Sequence, residues 1–304
     1  MASIINYLKN YIKTIPVFIF LLLISLIYII PLLIVFTNSF MSPGELTRNY
    51  SAEIDLLEYG FFRQSESQSG QPVSYIRYNL IPERISLEQY NTLLFKTPAY
   101  LELFINSIKL TIPIIIFHVI IGSAAGYGFT VWKSRFKEIL FFIYLIIMVL
   151  PFQATLVSSY IMADMLGILN NHLSIILPWG FGPFAVFIMR QSMKSISINI
   201  FEAAQIDGAG HFVRFFRIAA PLSKSGAASL VILSFADCWG MIEHPMIFLN
   251  DVSMEPLSVV LYRIGQSNTG LVFAASVFYM LPVVWIFLYG QDYFEKGIML
   301  SAFK

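Results

Sequence analysis

Charge is what this chain has least of. Asp, Glu, Lys and Arg make up 12% of its 304 residues, and 19 basic side chains against 18 acidic ones leave a formal net charge of +1. So near-neutral a balance implies no nucleic-acid partner, because phosphate backbones are met by strongly basic surfaces. There is one cysteine, Cys238, which excludes an internal disulfide. No Gly-x-x-x-x-Gly-Lys-Ser/Thr run occurs, so the chain has no phosphate cradle of that kind and does not hydrolyse ATP by it. What fills the sequence instead is hydrocarbon. Hydrophobic residues make up 57% and the mean hydropathy is +0.72, which excludes a soluble globular protein.

Crossing ~30 Å of hydrocarbon takes about 20 apolar residues in a helix. Windows of that kind fall near 15–37, 108–131, 138–161, 172–190, 225–249 and 270–290, predicting an all-α membrane protein with six transmembrane helices. The first window is longer than a signal-peptide core and lacks a small-x-small cleavage pattern, so it is read as retained. Basic residues set the orientation. Lys9 and Lys13 precede the first span; Lys133, Arg135 and Lys137 join the second to the third; Arg190, Lys194, Arg214, Arg217 and Lys224 fill the loop before the fifth; Lys296 and Lys304 close the tail. The opposite short loops hold only Arg263. The positive-inside rule therefore puts both termini and the 195–221 loop in the cytoplasm. The chain divides into a cytoplasmic segment 1–14, a first helix 15–40, an extracytoplasmic segment 41–102, a five-helix core 103–292 and a tail 293–304. In the outer segment the polar run Gln64-Ser-Glu-Ser-Gln-Ser-Gly-Gln-Pro72 reads as an exposed tip. Beyond it, Ser86 caps a short amphipathic helix carrying Leu87, Tyr90 and Leu94, either a packed lid or a contact for a soluble protein.

The loop before the fifth span holds the most informative stretch, Phe201-Glu-Ala-Ala-Gln-Ile-Asp-Gly-Ala209, followed by Phe215-Phe216-Arg217-Ile218 and Pro221. Ser197 is a natural N-cap, Ile198 to Asp207 form a short helix, and Gly208 stops it by tolerating a left-handed backbone. Ala203 and Ala204 let another surface approach closely, and Glu202 lies one turn from Ile206, an anionic group beside an apolar contact. The two readings are a docking helix and an ordinary interfacial connector.

Within the spans, Gly122-Ser-Ala-Ala-Gly126 allows close helix packing. Pro113, Pro151 and Pro245 can each kink a span. Asp237 falls roughly 20 Å into the membrane at ~1.5 Å per residue from Lys224. An ionisable group at that depth costs at least ~2.5 kcal/mol and faces a bundle interior or water. It is read either as a pore contact or as an interhelical hydrogen bond. At helical spacing Asp237, Met241 and His244 share a face, with Glu243 nearer that of Trp239; Glu243 and His244 are placed at the solvated outer boundary. His118 and Gln153 are further polar candidates, as packing hydrogen bonds or as ligand contacts. Trp239, Asp237 and Gln153 supply the aromatic face and polar groups that suit a sugar. No third ligand joins Glu243 and His244, so no metal site is predicted, and no catalytic dyad is evident.

The Glu202–Gly208 run, with Ile218 and Pro221 at the right distance, resembles the cytoplasmic coupling loop of permease subunits in ATP-binding cassette importers. Thr37-Asn-Ser-Phe40, Ser86-Leu-Glu-Gln-Tyr90, Gly167-Ile-Leu-Asn170, Ile176-Leu-Pro178, Arg190-Gln191, Ile247-Phe-Leu249 and Ala274-Ala-Ser276 extend the resemblance to the carbohydrate-uptake, maltose-importer branch. It covers nearly the whole chain except about 46–84. The resemblance implies the type I ABC importer fold, no cofactor, a second homologous permease, two copies of a cytoplasmic ATPase and an external solute-binding protein. It assigns ATPase coupling to Glu202, Ala203, Ala204, Ile206, Asp207 and Gly208. Ala220 stands where Leu is usual, and Trp239-Gly240-Met241 replaces the family's Trp-Asn-Glu. The alternatives are a permease for an amino acid, peptide or polyamine, and an ion-coupled secondary transporter with Asp237 as carrier.

Overall fold

The structure, a computed structural model, describes residues 2–46, 49, 81–264 and 269–302. The 64–72 run, most of the 46–84 insert and Lys304 lie outside the described residues. Helices are the regular structure of the described residues, with no strand among them. Hydrocarbon leaves a backbone no hydrogen-bond partner but itself, and a helix satisfies each group internally. Four helices are long and apolar enough to cross a membrane, or six if each of two bent pairs is one span.

The chain divides into two compact units, Met1–Pro98 with Arg263–Phe278, and Ala99–Tyr262 with Tyr279–Lys304. In the first, α1 (Ala2–Asn38) carries the apolar stretch Ile15–Asn38. Past its end Met41 and Leu46 bury against Phe273. The Tyr90 hydroxyl donates to Ser39 Oγ at 2.8 Å, and the Glu45 carboxylate accepts from the Glu83 amide at 2.9 Å. Helix α2 (Glu88–Asn91) runs into a π-helical turn, Thr92–Lys96. Ser86 Oγ accepts from the Glu88 amide at 3.2 Å, but the N-cap position falls to Leu87, one residue later than expected, with no side-chain cap bond. The buried face differs from the expected one: Gln89 and Leu93 point inward, while Leu87 is 63% exposed.

In the second unit α3 (Ala99–Val131) is the hub, nine residues longer at its start than expected and unbroken at Pro113. Next come α4 (Phe136–Val149), α5 (Phe152–Met165), α6 (Leu173–Gly180) and α7 (Pro183–Lys194). They are followed by α8 (Ile198–Ile206), α9 (His211–Leu222), α10 (Lys224–Trp239) and α11 (Glu243–Phe248). Last are α12 (Leu257–Ile264) and α13 (Thr269–Ala302), which straddles the two units. Besides the two-residue interruption of 172–190 at Phe181–Gly182, two expected spans are not continuous. The 138–161 stretch bends by 98° between α4 and α5. There Leu150 is extended (ψ 129°) as a residue before proline is obliged to be. The 225–249 stretch stops at Trp239 and resumes at Glu243.

Gly122 and Gly126 seat α3 on α7. A Cβ on Gly122 would come within 2.9 Å of the Ala185 backbone, and one on Gly126 within 2.8 Å of the Arg190 nitrogen. Small residues in this arrangement replace the hydrophobic drive that lipid does not supply. Arg190 then ties α7 to α4: it donates to both Glu138 carboxylate oxygens at 2.9 and 2.8 Å, with its guanidinium carbon 3.7 Å from the centre of the Phe141 ring.

Candidate functional site

Two features of the second unit concentrate the candidate residues: the 195–221 loop and a cavity among α3, α5, α6, α10 and α11. In the loop, α8 ends one residue earlier than expected, at Ile206, and Ser197 occupies the N-cap without a side-chain bond. Gly208 adopts φ +81°, the left-handed conformation that halts the helix. Phe201 is the anchor. It is 1% exposed and packs in a cluster with Tyr127, Met189, Met193 and Leu230. The opposite side is left open: Ala203, Asp207 and Gly208 are exposed and Ile206 is 87% exposed. Glu202 is not a free anion, because Lys133 on the loop between α3 and α4 pairs with it at 2.8 Å. Both side chains are solvated, so the pair contributes little, about 0–1 kcal/mol.

The cavity has a volume of about 340 Å³ and is lined by His118, Asp237, His244, Trp179 and Phe152, with Thr155, Ser159 and Ser174 adding hydroxyls. His118 is fixed from both sides. Its Nε2 faces the Trp179 carbonyl at 2.7 Å, and its Nδ1 faces the Ser234 hydroxyl at 2.8 Å. A carbonyl only accepts, so Nε2 carries a proton and donates to Trp179, while Nδ1 pairs with the Ser234 hydroxyl. One imidazole thereby joins α3 to α6 and α10. His244 lies against Phe152, 3.5 Å between ring centres, with Trp179 edge-on at 5.1 Å. It is a cavity residue, not the solvated boundary group expected.

The other candidates separate. Gln153 lies outside the lining, exposed, and donates to Glu243 at 3.1 Å. Trp239 is 3% exposed, between Phe235 at 5.1 Å and Tyr279 at 5.3 Å. Its Nε1 donates to the Tyr279 carbonyl at 3.1 Å, and the Tyr279 hydroxyl donates back to the Trp239 carbonyl. Met241 falls in the Gly240–Ile242 break, buried with Cys238 and Phe248, and its carbonyl accepts from Ser258. The shared face of Asp237, Met241 and His244 therefore does not form: the helix it requires ends at Trp239. Asp237 and His244 meet around the cavity because the chain breaks there.

A polar clamp supports the cavity from the α5–α6 and α11–α12 loops. Asn170, at φ 55°, accepts from the amides of Asn250 and Asp251 at 2.9 and 3.0 Å. His172 Nε2 donates to the Met254 carbonyl at 2.8 Å. Bonds from the Ser253 amide and hydroxyl hold the Asp251 carboxyl below the usual carboxylate range. None of these pairings has a local sequence signature. No group of three or more His, Cys, Asp or Glu able to hold a metal occurs among the described residues.

Residues 118–300 match the family described as binding-protein-dependent transport system inner membrane component. Arabinooligosaccharides transport system permease protein AraQ of Bacillus subtilis (strain 168) is 27% identical over 289 residues, 94% of each chain. Melibiose/raffinose/stachyose import permease protein MelC of the same organism is 31% identical over 66% of this chain and 75% of its own. Lactose transport system permease protein LacG of Rhizobium radiobacter is 26% identical over 66% and 74%. Among solved structures, a bacterial ABC transporter involved in import of the acidic polysaccharide alginate matches in fold, with TM-score 0.74 and 21% identity over 94% of this chain and 98% of the other.

Proposed function

Because the chain belongs to the inner-membrane components of binding-protein-dependent transport systems, we propose that it is the permease subunit of an ABC importer for a carbohydrate, with an oligosaccharide as the favoured cargo. Support for that cargo comes from relatives named for arabinooligosaccharides, lactose and raffinose-type sugars. The cavity agrees with it: hydroxyls, one carboxyl group and aromatic faces suit a neutral sugar, whose ring stacks on Trp179 or Phe152 while its hydroxyls meet Asp237, Thr155 and Ser159. The partners are a second permease, two copies of a cytoplasmic ATPase and an external binding protein. A second solved structure, of a bacterial alginate ABC transporter in complex with an alginate pentasaccharide-bound periplasmic protein, matches in fold over 68% of this chain at TM-score 0.55.

The observation that carries the mechanism is the α8 element, rooted in the bundle by buried Phe201 and presenting exposed Ile206 beside Ala203 and Gly208. Its small and apolar surface is what a cleft in another protein would receive, and the basic residues around it support a cytoplasmic side for it and for both termini. ATP binding and hydrolysis belong to the separate ATPase. Closure of the two ATPases drags α8, the motion passes through Phe201 to α3 and α7, and the bundle switches the cavity between inward and outward access. In the cavity Asp237 and His118 are the polar contacts on this side of the path. Trp239 and Met241 hold the helix break that turns His244 into the cavity, and Gln153 with Glu243 extends the polar surface beside it.

Replacing Gly208 by Val tests the coupling role. The predicted result is a complex that still assembles and hydrolyses ATP but loses most binding-protein-dependent uptake. Unchanged uptake would remove α8 from the coupling path.

A further inference from the structure

A second concavity, of about 710 Å³, runs between α3 and α9 at the loop end of the bundle, lined by Ile120, Ala124, Tyr127, His211, Phe212 and Phe216 among others. Its walls are nearly all apolar and open outward: Ile120 is 61%, Phe212 81% and Phe216 65% exposed. Helix α9 bends 70° away from α10, so it lies across the mouth of a span instead of continuing it. An aromatic helix carrying Arg214 and Arg217 in that attitude has the make-up of an interfacial element.

Behind the groove wall, against the lining residue His211, lies an unbalanced cation. Arg214 is 4% exposed, yet among the described residues no carboxylate pairs with it. Its guanidinium donates to the Gln205 amide oxygen at 3.2 Å and lies 3.4 Å from both ring nitrogens of His211, which lines the groove. The Tyr127 hydroxyl is 3.5 Å from His211. Among the described residues Arg214 Nε has no hydrogen-bond partner. A buried guanidinium with no carboxylate beside it calls for an anion, since a buried charge is held by pairing. The charge sits one side chain behind the apolar slot, with His211 between.

We propose that the groove binds an anionic phospholipid of the cytoplasmic leaflet, an acyl chain along Ile120, Ala124 and Phe216 and its phosphate at His211 and Arg214. An apolar slot with a histidine in its wall and an unpaired guanidinium behind it matches an amphiphile with an anionic head, and basic recesses between spans on the cytoplasmic side are where such headgroups bind. The assignment rests on the cytoplasmic placement of the 195–221 loop and on no other part of the import reading. The bound lipid would brace α9 against α3, next to the element proposed to couple to the ATPase.

The test is native mass spectrometry of the complex purified in mild detergent from its own membrane, after exchange into nanodiscs of phosphatidylcholine alone or of phosphatidylcholine with phosphatidylglycerol. Retained phosphatidylglycerol is expected on the parent complex. Arg214→Gln should cut its retention about fivefold, the contribution of one interfacial arginine. Ala124→Phe fills the slot, leaves the charge in place and should remove the lipid as well; it decides the matter where Arg214→Gln fails to assemble. Parental retention in an assembled variant of either kind overturns the proposal. So does a photo-crosslinker at Phe216 that captures the second permease, because the groove is then a protein interface. The readout requires no ATP hydrolysis, so its failure is distinct from failure of the import reading.

Discussion

Gly208 is the residue on which the loop geometry turns. At φ +81° nothing lies within 4 Å of a built Cβ, so a substitution meets no neighbour and its cost is conformational, about 1–2 kcal/mol and more for a β-branched side chain. Gly208→Val should therefore leave the amount of folded protein nearly unchanged while distorting the end of α8. Lys133→Ala makes the opposite point. It removes a solvated pair, so thermal stability should move by less than about 1 kcal/mol and uptake should persist; loss of coupling in that variant would make the Lys133–Glu202 tie part of the transmission. Gly126→Leu should be severe, because its Cβ meets the Arg190 backbone at 2.8 Å, and should appear as lost detergent-stable protein. These glycines were legible in sequence, since a helix stop and a Gly-x-x-x-Gly stripe are local patterns. The partners of His118 were not. They lie 61 and 116 positions away, and no short-range pattern encodes a contact at that separation.

At the scale of elements, the breaks matter more than the spans. Hydropathy marks where hydrocarbon is crossed but is nearly blind to bends, so 138–161 and 225–249 each read as one helix. Pro151 carried a signal for the first break. The Gly240–Ile242 interruption carried little, and it is held by tertiary contacts: the reciprocal Trp239–Tyr279 bonds and the Ser258 bond to the Met241 carbonyl. Trp239→Ala removes the stacked indole and its donor together. It should cost about 3–5 kcal/mol, read as lower thermal stability in detergent, and should reduce uptake by releasing α11 and His244 from the cavity. Trp239→Phe keeps the stack, loses one hydrogen bond, and should retain most of the stability. An equal loss in both variants would contradict the role given to the packed ring. The amphipathic reading of α2 erred for a similar reason: burial of Gln89 under Gly270 is a tertiary choice that overrides the apolar period.

For the whole molecule, composition alone required a membrane, and the positive-inside rule supplied an orientation that chemical labelling can check. With Cys238 replaced by Ser, a cysteine introduced at Asp207 should react only with reagent on the cytoplasmic face, and one at Asp251 only with reagent outside. The reverse pattern would invert the topology and remove α8 from reach of an ATPase. The central claim is that this chain is one part of an assembly. The measurement that tests it most directly is affinity purification from the native membrane in mild detergent, followed by mass spectrometry of what remains bound. The account predicts recovery of a second multi-span permease and an ATPase. Recovery of the chain alone, as a monomer or homo-oligomer, would contradict it.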